Sequence, residues 1–270
     1  MLKSVYTMLI SVSFLFSSAS ANSHTILVTL AYSYLGTSIC EELTNEGYNL
    51  VITGRNPEKL ANLKKKLLAK YPNTSIETLY TDFEKPKTII AARESLKTDE
   101  LNGIVLIGPR PRIQTQADWV PSFENTFTTP LKLIHEFNER LAPESSIVII
   151  NGLTSKVYMP PYPNTNVLRL AWTGHVKNLA HLYGPRHIRV NVVSPGIILT
   201  PHHEKRFKKK AASNGLSYED QLRKESEHTP LKRLGRPQDV AQLTTFLLSS
   251  KARHLNSLNI PLDGGACVAY

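Results

Sequence analysis

The sequence predicts an α/β domain of three layers, a seven-stranded parallel sheet held between two layers of helices. Three observations predict it. From residue 25 onward, strand-length apolar runs alternate with stretches of helical period. The runs lack polar alternation, as strands buried on both faces do. No linker rich in Gly, Ser or Pro interrupts the 270 residues, so one domain is expected over residues 22–270.

The first strand is Thr25–Leu30. Leu35, Ile39 and Leu43 then recur every four residues, an apolar stripe for a helix lying on the sheet. Tyr48–Thr53 is the second strand and Pro57–Lys70 a basic helix. Thr74–Tyr80, Gly103–Ile107 and Ser146–Ile150 are strands three to five. Val167–Tyr183 carries Leu168, Trp172, Val176 and Leu179 at helical spacing, and His187–Val193 is strand six. Pro237 with Asp239 behind it opens a helix whose buried stripe is Val240, Leu243 and Leu247, and Leu258–Leu262 is the last strand.

Residues 1–21 read differently. Lys3, the apolar stretch Met8–Phe16 and the small residues Ala19-Ser20-Ala21 have the layout of an export signal with a cleavage site, too short for a comfortable membrane span. A periplasmic or secreted protein is expected; an uncleaved anchor or a cytoplasmic chain is the alternative. The net charge of +10 is spread among acids except at Lys64–Lys66 and Lys205–Lys210, and no nucleic-acid recognition module accompanies it. The two cysteines, Cys40 and Cys267, have no metal-ligand spacing and could pair only if the fold joins them.

Three segments carry a specific resemblance: His187–Gly196 (HIRVNVVSPG), Arg233–Ala241 (RLGRPQDVA) and Ile260–Gly265 (IPLDGG). In this order and spacing the chain resembles the short-chain dehydrogenase/reductase family, close to divergent relatives of 3-oxoacyl-acyl-carrier-protein reductases. The resemblance implies a Rossmann-type sheet, a nicotinamide cofactor, a carbonyl substrate and self-association into a homo-oligomer. By resemblance, Ile198 and Thr200 meet the carboxamide and pyrophosphate sides of the cofactor, after Pro195 and Gly196, where a glycine admits a ligand close to the backbone. Asp82-Phe83 resembles the adenine contact. Arg55 follows Gly54, which holds the place of the acidic residue of NAD-preferring members; a guanidinium there suits a 2′-phosphate and favours NADP.

The chain also departs from the family. Where a T-G-x-x-x-G-x-G turn is expected, Thr29–Gly36 reads TLAYSYLG, leaving Ser33, Leu35 and Gly36 as the cofactor-side candidates and side chains at Leu30 and Tyr34. Gly108 is the remaining glycine after strand four. The helix asparagine of the proton relay is replaced by Thr126, with Asn125 one residue away. The Y-x-x-x-K pair falls on Thr165 and Arg169, and the serine on or near Gly152–Ser155, with Thr154 and Ser155 as candidates. Threonine cannot replace tyrosine as the acid, and a permanently charged arginine shuttles no proton. Tyr162 and Tyr158 lie near enough to be substitutes. Three readings stay open: an NADP-binding carbonyl reductase with eroded chemistry, a pseudoenzyme that binds or scaffolds without turnover, and a structural homo-oligomer with no ligand.

Overall fold

The computed structural model describes residues 24–160, 162 and 164–269. The export signal assigned to residues 1–21 lies outside the described residues. In chain order the elements are β1 (Thr25–Val28), α1 (Tyr34–Asn45), β2 (Asn49–Gly54), α2 (Pro57–Lys70), β3 (Ile76–Tyr80), α3 (Lys87–Ser95), β4 (Leu101–Ile107), α4 (Trp119–Phe123), α5 (Thr129–Phe137), β5 (Leu141–Ile150), α6 (Thr165–Tyr183), β6 (Arg189–Pro195), α7 (Pro201–Asn214), α8 (Tyr218–Ser226), α9 (Pro237–Leu248) and β7 (Asn259–Leu262). All seven strands are parallel, in the order β3-β2-β1-β4-β5-β6-β7.

Successive strand residues point to opposite faces, so each apolar run feeds two cores. Ile26, Val28, Val105, Val148 and Ile150 face Ile39 and Leu43 of α1, Leu60 of α2 and Val240 and Leu247 of α9. Leu27, Ile104, Ile147 and Ile149 face Ile89 of α3, Leu133 and Phe137 of α5 and Trp172 and Val176 of α6. This two-sided burial is why the strands carry no polar alternation.

The strand order places the site. β1 pairs with β2 on one side and β4 on the other, so the chain changes direction across the sheet between β1 and β4. A crevice opens beyond the carboxyl ends at such a point. Thr29 ties its floor: its hydroxyl donates to the Ile107 carbonyl (2.8 Å) and accepts from the Ile107 N–H (2.7 Å).

The expected strands are all present with shifted ends. β5 starts at Leu141, five residues before the expected Ser146, because an irregular stretch at Glu144 (φ 64°) is absorbed into the edge of its pairing with β4. The α7–α8 pair was not expected, although Thr200-Pro201 and the cap Ser217, whose hydroxyl accepts from the Asp220 N–H, are helix openings. Cys40 is buried, both cysteines are free, and burial holds the Cys40 thiol far above its ordinary range. No described helix is long and apolar enough to cross a membrane.

Gly36 shows how tightly α1 sits on β1. A Cβ there would stand 2.5 Å from the Leu30 carbonyl oxygen and 2.7 Å from that of Ala31, both backbone atoms with no freedom to withdraw. Gly36→Ala is therefore expected to destabilise the fold by about 2–3 kcal/mol, read from urea denaturation; an unchanged midpoint would show that α1 does not sit this close.

Candidate functional site

A cavity of about 1060 Å³ lies at the carboxyl ends of β1, β4, β5 and β6 and is covered by the α7–α8 pair. It sits at the upper end of the range for small-molecule sites, leaving room for more than one small ligand.

The cofactor-side candidates are brought together in part. Ser33, Leu35, Gly108, Pro195, Gly196, Ile198 and Thr200 border the cavity. The eroded turn keeps a glycine-like course: Leu30 has φ 45°, a left-handed conformation that costs a side-chain-bearing residue energy. Ser33 caps α1 by accepting from the Gly36 N–H (3.1 Å). The Tyr34 and Leu35 N–H groups have no protein acceptor among the described residues, so the positive end of α1 still offers two donors to an anion. Tyr34 is half exposed and lines the rim instead of filling the floor.

Several expectations are corrected. Gly196 is small for a protein reason: a Cβ there would meet the Asp263 Cβ at 2.8 Å, so β7's end and not a ligand claims that space. A Cβ on Gly108 would touch only the Thr126 carbonyl oxygen at 3.8 Å, so this glycine does leave room at the cavity wall. Gly36 lies behind the wall and serves the helix packing. Phe83 packs in the core beside α3, and Asp82 accepts from the Glu84 N–H (3.1 Å); neither borders the cavity. Arg55 stands on the open surface past β2, its side chain 63% exposed and paired with Glu84 at 3.6 Å. The Tyr32 ring lies against Gly54, at the place a side chain would fill.

Of the candidate catalytic residues the structure joins Thr154, Thr165 and Arg169. The Arg169 Nη1 donates to Thr154 Oγ1 (3.0 Å), which lies 3.3 Å from Thr165 Oγ1, and Thr165 donates to the Tyr162 carbonyl (3.0 Å). Each hydroxyl has one proton, so the direction follows: arginine to Thr154, Thr154 to Thr165, Thr165 to the backbone. Ser155 is removed from the candidates. It is 2% exposed and bonded to Ser194 (2.8 Å) and Asn259 (3.0 Å), a buried network joining β5, β6 and β7. Thr126 sits in a π-helical turn, Glu124–Thr128; its hydroxyl donates back to the Ser122 carbonyl and its own carbonyl accepts from Trp172 Nε1 (3.0 Å). Trp172 thus holds the Thr126 carbonyl, leaving one fewer open acceptor at the cavity wall. The Tyr162 hydroxyl accepts from Arg206 Nη1 (2.6 Å), which pins the loop before α6 to α7, and Tyr158 is exposed.

Gly152 explains how an arginine fits. Its φ of 172° is open to any residue, yet a Cβ would fall inside contact distance of the Arg169 guanidinium. Burial lowers the Arg169 pKa below its ordinary value, with the nearby Arg110 charge acting the same way. His203 was not anticipated. Its Nδ1 lies 2.7 Å from the Ile198 carbonyl and so carries the proton, its ring stacks on Phe207, and burial first, then Arg206, push its pKa down to about 4. Its position three residues past Thr200, on the first turn of a Pro-started helix, was the readable signal.

Two outcomes are expected here. Gly152→Ala displaces only the tip of a flexible side chain, so the melting temperature stays near that of the parent while a crystal structure shows Arg169 moved off Thr154; an unmoved guanidinium would refute the slot. An ordinary histidine titrates near 6.5 and His203 near 4, so between these values the unfolded chain binds the extra proton. The His203 contribution to stability is whole above about pH 6.5 and is lost as pH falls toward 4. Denaturation series at both ends should show a shallower pH slope in His203→Gln; an identical slope would refute the assignment.

A family model described as enoyl-(acyl carrier protein) reductase matches residues 31–267. The NADPH-dependent reductase BacG of Bacillus subtilis is 24% identical over 252 residues, 90% of this chain and 97% of that protein. Several further relatives, at up to 34% identity, align over only 40 to 56% of their own length. Among solved structures, L-sorbose reductase from Gluconobacter frateurii complexed with NADPH and L-sorbose superposes with a TM-score of 0.82 at 23% identity, covering 92% of this chain and 98% of that one. A short-chain oxidoreductase of Pseudomonas aeruginosa PAO1 described as having an atypical catalytic centre superposes with a TM-score of 0.80 at 20% identity, covering 92% and 98%. With nearly its whole length matched by the family model, on the seven-stranded sheet and crevice described above, this chain belongs to the short-chain dehydrogenase/reductase family.

Proposed function

We propose that this chain binds NADPH in the cavity and acts as a reductase on a carbonyl compound, with Arg169, Thr154 and Thr165 as its reaction centre. The observation that carries the reading is Arg169: a guanidinium held in the Gly152 slot at the cavity wall, with donors left over after its bond to Thr154. The residues present suit the cofactor. The free N–H groups at the start of α1 suit a pyrophosphate, Ile198 and the Gly108 gap suit a flat ring, and Arg55 suits a 2′-phosphate once it leaves Glu84. The names of BacG and of the L-sorbose reductase complex, both tied to NADPH, support the same cofactor here.

When bound, reduced nicotinamide supplies a hydride to a carbonyl carbon, leaving an alkoxide that needs one proton. Arg169 holds negative charge on that oxygen and gives up no proton. Thr154 and Thr165 orient the guanidinium, and their own protons are committed to protein acceptors. A positioned general acid contributes about 10²–10⁴ in rate; Arg169, Thr154 and Thr165 supply none, and the proton comes from water or from the less well placed Tyr162 or Tyr158 at the rim. A second reading, binding without turnover, is favoured by the Tyr162 hydroxyl being held by Arg206.

NADPH is expected to bind more tightly than NADH, and Arg55→Asp to reverse the order, in calorimetric titration. Equal affinity for both would defeat the role given to Arg55. In NADPH-oxidation assays over a ketone panel, wild type is expected to be slow and Thr165→Tyr faster, with Tyr162→Phe or Tyr158→Phe lowering any residual rate. Fast wild-type turnover unaffected by either Phe substitution would contradict the placement of the acid; NADPH binding with no turnover in any variant would establish the second reading.

A further inference from the structure

The charges around the cavity do not balance. Arg169 lies in the wall with no acidic partner among the described residues, and Arg110, on the loop after β4, borders the same cavity with no hydrogen-bond or ion-pair partner among them. Arg206 stands behind Tyr162, its donor on the phenol oxygen and its guanidinium over the Phe207 ring at 4.9 Å. The two cavity carboxylates among the described residues are spoken for. Asp263 accepts from the Gly265 and Cys267 N–H groups (2.9 and 2.7 Å), and Glu225 accepts from Lys210 Nζ and Gln221 Nε2, both at 2.6 Å. His203 adds no charge near neutrality: burial first, then Arg206 and, less, Arg110 disfavour its proton.

A largely buried guanidinium with no counter-charge is costly unless a ligand supplies one. A dinucleotide does not do so at this end. Its ribose hydroxyls and carboxamide are neutral, and its phosphates belong at the α1 N-terminus, where the unpartnered N–H groups are. Building on the proposed function, we infer that the substrate is an oxo acid whose carboxylate is bound by Arg110 while its carbonyl oxygen faces Arg169. Arginine suits this task because its planar fork pairs with both carboxylate oxygens, and a positive cavity with low-dielectric walls also draws anions in.

The test uses six-carbon 2-oxo, 3-oxo and 4-oxo acids and their methyl esters as matched probes, titrated into the whole protein with and without saturating NADPH. At least one acid is expected to bind about tenfold or more tightly than its ester, the size of a charge-assisted pair. In Arg110→Gln, an exposed position that does not endanger the fold, that preference should vanish while NADPH affinity stays within about twofold, and Arg110→Lys should restore part of it. Acids and esters binding alike, no acid binding in either condition, or a preference that survives Arg110→Gln would each overturn the inference. A tenfold fall in NADPH affinity in Arg110→Gln would also overturn it, by assigning the arginine to the cofactor's phosphates. Failure of wild type to bind NADPH would count against the proposed function alone, because the acid and ester comparison is read without cofactor as well.

Discussion

A guanidinium lodged in the wall of a cavity, with one hydroxyl as its side-chain partner and no carboxylate beside it among the described residues, sets the terms for the rest of the site. Gly152 has no side chain because Arg169 takes the space. Thr154 and Thr165 are hydroxyls in a line because a donor-only group needs acceptors and the protons must run onward to the backbone. Burial keeps His203 neutral, and the charges of Arg206 and Arg110 act in the same direction. Under the proposed function, such a centre would stabilise negative charge well and deliver protons poorly, whereas a phenol acid does both.

This centre stands where it does because of the sheet. Seven parallel strands, the central five buried on both faces, send their carboxyl ends to one edge, and the reversal of chain direction between β1 and β4 opens the crevice there. Thr29 locks the crevice floor, the tight seat of α1 at Gly36 aims its N-terminus along it, and the α7–α8 pair covers it, tied across by Arg206 and Tyr162. The scaffold is the family's, while the side chains at its edge depart from the family's pattern.

Much of the fold was legible because the central strands are period-free apolar runs and α1, α6 and α9 carry an apolar stripe, so burial identified them. Segments whose residues serve the backbone were also legible: His187–Gly196 is strand six with its tight turn, and Ile260–Gly265 is the strand that abuts it. The α7–α8 pair escaped notice because its sequence is dominated by solvated charge, Lys205–Lys210 included, and only Phe207, Ala211, Gln221 and Ser226 are buried. The register of Thr165 and Arg169 could be counted along the chain, whereas the choice between Thr154 and Ser155 could not. That choice depends on which hydroxyl the β6 and β7 residues Ser194 and Asn259 draw inward, a contact spanning up to 104 positions. Gly196 carried a sequence signal for close approach, and only the neighbouring strand shows that the approaching group is Asp263. Arg110 was unreadable for a similar reason: an isolated basic residue gains meaning when the fold turns it toward a cavity, whereas His203 had at least its place on the first turn of a Pro-started helix.

The most direct test of the account is a crystal structure of the protein soaked with NADPH. The account predicts the dinucleotide in the crevice, its pyrophosphate on the Tyr34 and Leu35 N–H groups, its nicotinamide end between Ile198 and Arg169, and Arg55 turned from Glu84 to the 2′-phosphate. A cavity left empty at saturating NADPH, or one in which the ligand avoids Arg169, would contradict it.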